Sequence, residues 1–190
     1  MTDENPQENL VWHYTYSENI KAILDAGVLL APCRVMTAET SGMTDEEFAE
    51  AKTHRSFMAD ARLLLFSTRQ DWEPASSRGL QDSTTGGITQ LLHVEDYAVY
   101  GIQIFRIGVN RNILKPWVRL KQIVRMSREM ADSAEKTARD CGSNPFDWWG
   151  STLPVHADKW QAVQVLKGKE WVSVKESEAI YCSILRKEQR

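Results

Sequence analysis

The stretch Val11-Trp12-His13-Tyr14-Thr15-Tyr16-Ser17-Glu18-Asn19-Ile20-Lys21-Ala22-Ile23-Leu24-Asp25-Ala26-Gly27-Val28-Leu29 decides how the chain is read. It opens with a short aromatic-rich strand that carries a histidine. Ser17 is a residue type that caps helices, because its hydroxyl can accept from an unpaired N–H in the first turn. Ile20, Ile23 and Leu24 recur at i, i+3, i+4, the spacing of one buried helix face. Gly27 stands where a left-handed residue ends a helix, and Val28-Leu29-Leu30 reads as a second strand. The expectation is strand, helix, strand, with one titratable ring near the start.

Working outward, 190 residues make one domain, residues 1–190, with a frayed polar tail at 1–9. That length suffices for a core that buries roughly 70% of the unfolded surface. The net charge of −3 gives no global argument for nucleic acid or an anionic membrane. Three widely spaced cysteines, Cys33, Cys141 and Cys182, fit no disulfide or CxxC pattern. With no apolar run long enough for a membrane span and a polar, acidic N-terminus, the expectation is a cytoplasmic protein that does not enter a membrane.

Downstream, Thr44-Asp45-Glu46-Glu47 matches a capping box and predicts a short helix from Asp45 to about Lys52. Leu63-Leu64-Leu65-Phe66-Ser67-Thr68 reads as a buried strand, and residues 76–87 as a flexible loop. Tyr97 to Val109 reads as one long strand by its alternation. Leu120 to about Cys141 reads as helix with a break near Ser127 and a stop at Gly142. Asn144 to Gly150 is a second aromatic loop. Trp160 to Leu166, a turn at Lys167-Gly168-Lys169-Glu170 and Trp171 to Val174 form a hairpin, followed by a strand or helix over residues 179–185. Strands that cluster late beside a few helices predict an α+β fold.

The four histidines lie far apart, without HxxxH or HExxH spacing, so no metal site is expected. A phosphate-binding GxxxxGK[ST] loop, a GxGxxG fingerprint and a GxSxG elbow are all absent. His13 is then the residue of interest. It reads either as a core ring with a satisfied hydrogen bond or as a ring offered to a ligand hydroxyl.

The order of strand-His-Tyr-Thr, helix, Ile-Leu-x-x-Gly and strand resembles the opening of ADP-ribosyltransferase-like domains. These include diphtheria-toxin-like enzymes, DNA-modifying toxin transferases and RNA 2′-phosphotransferases. The resemblance implies mixed sheets flanked by a few helices and NAD as substrate. It also implies that His13 contacts a ribose hydroxyl, with Tyr14 and Thr15 supplying neighbouring backbone contacts. A second family motif, a strand ending in Ser or Tyr beside the nicotinamide, matches Leu65-Phe66-Ser67-Thr68 at Ser67. A third, on a late strand, supplies a glutamate that opposes the cationic transition state. Here that place falls on Gln164.

Glutamine can bond a ribose hydroxyl but carries no charge. The resemblance therefore leaves three readings open. The protein transfers ADP-ribose to a protein or nucleic-acid acceptor through His13, Ser67 and Gln164 or another acid (Glu73, Asp158 or Glu170). Or it is a non-catalytic nucleotide- or partner-binding module of the same fold. Or it is an interaction protein with His13 in its core. Under the first reading Trp72 stacks on a base and the fork of Arg69 meets a phosphate. Between Asp96 and Glu129 seven bases and no acid occur: Arg106, Arg111, Lys115, Arg119, Lys121, Arg125 and Arg128. They read as a solvated face or, alternatively, as a phosphate-binding one.

Overall fold

Val11 and the aromatic residues around it form the short aromatic-rich strand expected at the opening. The computed structural model describes residues 9–35, 44–53, 62–77, 79–81 and 88–174. Strand β1 (Leu10–Tyr16) runs straight into helix α1 (Ser17–Ala26), and Gly27, at φ 61°, turns the chain into β2 (Val28–Leu29). The Gly27 N–H closes the helix on the Ile23 carbonyl at 2.9 Å, as a left-handed C′ glycine should. Ser17 does not cap the helix. Tyr16 holds the cap position without a side-chain bond, while Ser17 pairs through its backbone and its hydroxyl with Gln103. With no spacer between strand and helix, the serine falls one residue inside the helix and serves the neighbouring loop.

The capping box at the next helix forms as expected. The Thr44 N–H donates to Glu47 Oε2 at 2.9 Å and the Glu47 N–H to Thr44 Oγ1 at 3.2 Å, starting α2 (Asp45–Thr53). Strand β3 (Leu64–Ser67) is the predicted run, buried at Leu64, Phe66 and Ser67 but exposed at Leu65. Within the stretch read as a loop, β4 (Gly79–Gln81) forms and pairs with β5 (Ile88–Leu91) just beyond it; residues 78 and 82–87 lie outside the described residues. The long strand begins later than its alternation suggests. Residues 94–101 coil through successive turns, with the Ile102 N–H on the Tyr97 carbonyl, and β6 runs only over Ile104–Asn110. Beyond β7 (Lys115–Pro116), helices α3 (Trp117–Ile123) and α4 (Arg128–Asp140) flank the expected break. Ser127 caps α4 by accepting from the Met130 N–H at 3.2 Å. The second aromatic loop contains a 3₁₀ turn at Pro145–Asp147 and continues as β8 (Trp148–Ser151). The chain closes with β9 (Val155–His156), β10 (Trp160–Lys167) and β11 (Glu170–Ser173). The elements expected at 1–8 and 179–185, and Cys182, lie outside the described residues.

The fold is α+β, with four α-helices among the described residues. Seven strands form one sheet in the order β11-β10-β6-β1-β3-β8-β7. Every described pairing is antiparallel, where the resemblance implied mixed sheets. Alternation sorts the sheet into two faces. Val11, Phe105, Ile107, Val109, Phe66 and Val165 pack with Ile20 of α1 into the main core. On the other face Tyr16 and Ile104 pack with Tyr97, Leu92 and Trp72. Trp12 lies flat over its cross-strand partner Gly108, where a Cβ would stand 2.6 Å from the ring. No described helix is long and apolar enough to cross a membrane.

Candidate functional site

The site is set by where the sheet opens. β1 pairs with β6 along its whole length, from Leu10↔Asn110 to Tyr16↔Ile104. Its other edge meets β3 at a single pair, Trp12↔Ser67. Beyond that pair the strands part, and the His13 ring fills the gap by donating from Nδ1 to the Leu65 carbonyl at 2.9 Å. A carbonyl can only accept, so Nδ1 carries the proton and Nε2 of the neutral ring is left as an acceptor. Desolvation holds the His13 pKa below its ordinary 6.5, outweighing the Leu65 bond, which pulls it up. His13 is thus a half-buried, neutral ring at physiological pH with its acceptor nitrogen unused by the described contacts.

Two cavities meet at this ring. The smaller, about 200 Å³, is lined by Trp12, His13, Tyr14, Ser67, Glu73 and Trp148, among others. The larger, about 940 Å³, is mostly apolar and shares His13 and Leu65 with the first; Thr15, Asn19, Ile23 and Leu29 contribute to it. Among the described residues neither is lined by a lysine or arginine.

Ser67, fully buried, lines the smaller cavity while its hydroxyl is committed to its neighbours. Its Oγ accepts from the Arg69 N–H at 3.2 Å and donates to Glu73 Oε2 at 2.6 Å. On the other side of the carboxylate, Ser143 Oγ accepts from the Ala75 N–H at 2.8 Å and donates to Glu73 Oε1. An amide N–H can only donate, so each serine's own proton is directed at Glu73. The Ala75 N–H also reaches Glu73 Oε1 at 3.2 Å. Glu73 is 4% exposed and makes no ion pair among the described residues.

Gln164 stands elsewhere. It pairs with Arg106 of β6, which pairs with Tyr14 of β1, so the three share a face two strands across. Arg106 Nε donates to Gln164 Oε1 at 2.7 Å, and its Nη1 donates to the Gln70 carbonyl. Its guanidinium is stacked between the Trp12 ring at 3.8 Å and the Trp171 ring at 4.2 Å. Desolvation lowers the Arg106 pKa to about 10, and desolvation likewise pushes Tyr14 up to about 12 against the pull of Arg106. Arg106, at 6% exposure, is therefore no part of a basic surface. Of the remaining bases of that segment, Lys121 bonds Glu135, Arg128 pairs with Asp132, and Arg119 bonds Gln122.

Of the residues singled out in sequence, His13, Tyr14 and Ser67 converge on the smaller cavity and Thr15 on the larger. Arg69 is turned away, clamped by both Asp71 oxygens at 3.2 and 3.0 Å. Trp72 packs edge-on to Tyr14 with ring centroids 5.0 Å apart, bracing the cleft wall rather than lining it. Of the three acids considered, only Glu73 reaches a cavity. Asp158 is exposed and salt-bridged to Lys159, and Glu170 is exposed at the start of β11. Ser143, 70 residues from its partner, was not legible as a site residue. Arg106 was singled out only as one of seven bases on a solvated or phosphate-binding face, not as a buried partner of Gln164. No family model, curated protein or solved structure matches the chain.

Proposed function

We propose that the opening between β1 and β3 is an NAD site and that the protein transfers ADP-ribose from NAD to a protein or nucleic-acid acceptor. The observation that carries this reading is the convergence of His13, Tyr14 and Ser67, from two separate motifs, on one cavity beside a buried carboxylate. The two cavities joined at His13 suit a ligand with two ring systems, one on each side of the histidine. The unused Nε2 of His13 is an acceptor for a ribose hydroxyl. Tyr14 and Trp148 offer aromatic surface for the ring in the smaller cavity.

A second reading is favoured by Gln164, whose side-chain oxygen is already held by Arg106 and carries no charge. Under it the same cleft binds a nucleotide or a partner without turnover.

The test is incubation of the protein with NAD labelled in the adenylate and in the nicotinamide, with and without cell lysate. Transfer of the adenylate label or release of nicotinamide, lost in His13→Ala, is the expected result. NAD binding by calorimetry without release establishes the second reading. Absence of binding, release and transfer ends both.

A further inference from the structure

Gln164 leaves the proposed site without the negative charge that its chemistry needs at the usual place. We propose that Glu73 supplies that charge, as a catalytic carboxylate fixed from behind by Ser67 and Ser143. This inference rests on the transferase reading and adds a residue that the resemblance did not assign as its acid.

Three independent features point to Glu73. The first is position: it lines the smaller cavity together with His13 and Tyr14. The second is orientation. Both serine hydroxyls are committed as acceptors to backbone N–H groups, so their protons face the carboxylate oxygens, and the Ala75 N–H adds a further donor. Such an arrangement holds an acceptor-only group in one rotamer. The third is cost. A carboxylate at 4% exposure with no ion pair among the described residues is expensive to bury. Bracing the turn Pro74–Ser76 needs no charge, since a neutral amide could accept from the Ala75 N–H as well. A fixed charge is what a developing cation requires, because the field of a pre-oriented group acts without reorganisation.

The step balances as follows. The bond between the ribose C1′ and the nicotinamide nitrogen breaks, and its electron pair leaves on the nicotinamide, which becomes neutral. A lone pair of the acceptor's oxygen or nitrogen forms the new bond to C1′, and the acceptor's proton passes to solvent. Positive charge builds on the ribose between the two events, and Glu73 opposes it. The serines are positioning residues.

The experiment compares the full-length wild type, Glu73→Gln and Ser143→Ala, reading NAD affinity by calorimetry and nicotinamide release at saturating NAD. The expected result for Glu73→Gln is a fall in kcat of about 10²–10³-fold with the NAD Kd changed by less than about threefold, the range seen when one electrostatic contact to a transition state is removed. Should Glu73→Gln not fold by circular dichroism, Ser143→Ala decides. Its carboxylate keeps its charge but loses one donor, so kcat falls about tenfold at unchanged Kd. Release by Glu73→Gln within threefold of wild type overturns the assignment while leaving the transferase intact, as does an unmoved kcat in Ser143→Ala. A wild type that binds NAD without releasing nicotinamide overturns both the assignment and the transferase. One that binds no NAD overturns the site itself.

Discussion

Replacing Gln164 by glutamate installs the residue type that the resemblance to ADP-ribosyltransferase-like domains calls for, yet the geometry assigns the new charge to Arg106. The Gln164 oxygen already lies 2.7 Å from Arg106 Nε. A carboxylate there would sit about 4 Å from the centre of the guanidinium charge, an attraction of about 4 kcal/mol at an effective dielectric near 20. Two terms oppose it. The existing hydrogen bond to a charged donor is already worth about 1.5–3 kcal/mol, and desolvating a half-buried carboxylate costs a few kcal/mol more. Arg106 has no carboxylate partner among the described residues, and the cost of burying it is met in the wild type. The terms nearly cancel, so Gln164→Glu is expected to leave stability at pH 7 within about 1–2 kcal/mol of wild type, or Tm within roughly 2–8 °C for a chain of this size. Arg106 would depress the new carboxyl below its unfolded value of about 4.3. The attraction is therefore complete above about pH 4.3 and lost as pH falls through the depressed value. Thermal unfolding of both proteins at pH 7 and pH 3 reads this directly. A Tm that falls no further from pH 7 to pH 3 in the variant than in the wild type refutes the Arg106 pairing. A tenfold rise in nicotinamide release in the variant refutes the claim that position 164 is shielded from the cleft.

Other expectations follow from the same geometry. Because desolvation lowers the His13 pKa, the unfolded chain binds a proton that the native state refuses as pH drops below about 6.5, so stability falls on that side. The slope is at most about 1.4 kcal/mol per pH unit. Urea midpoints at pH 7.5 and 5.5 should shift less in His13→Asn than in wild type, and equal shifts would contradict the assignment. Gly150→Ala places a Cβ 2.5 Å from the Leu64 carbonyl and 3.0 Å from Leu120 Cδ1. The β3–β8 ladder must then move at a cost of about 1–3 kcal/mol, and a Tm within 1 °C of wild type, by roughly that scale, would show that the strands do not pack this closely. Gly108→Ala meets the Trp12 ring instead and should lift it from the Arg106 stack. The expected readout is altered tryptophan near-ultraviolet circular dichroism; an unaltered spectrum speaks against that stack.

What was legible in the sequence is what is local. The strand, helix and strand of the opening stretch follow from an aromatic-rich run, helical spacing and the glycine at position 27, whose φ of 61° suits no other residue as well. The capping box at Thr44 and Glu47 is likewise a matter of four adjacent residues. The residues between Tyr97 and Ile102 misled because alternation of apolar residues does not by itself mean burial: Tyr97 is 1% exposed, but Val99 and Tyr100 face solvent at 82% and 56%. In the site, His13 and Ser67 stood out because strands display them in motifs. The carboxylate network could not stand out, since Glu73 and Ser143 are joined only by the folded sheet. Nor does any pattern announce that Arg106 will be stacked between rings from β1 and β11, or that Gln164 will be its partner.

The most direct test of the account is a crystal structure of the protein with NAD bound. The account predicts the nicotinamide in the cavity formed by Tyr14, Ser67, Glu73 and Trp148, with a ribose hydroxyl donating to His13 Nε2 at about 2.7–3.2 Å. Density for NAD away from the opening between β1 and β3, or a bound nucleotide that leaves His13 Nε2 untouched, would contradict it.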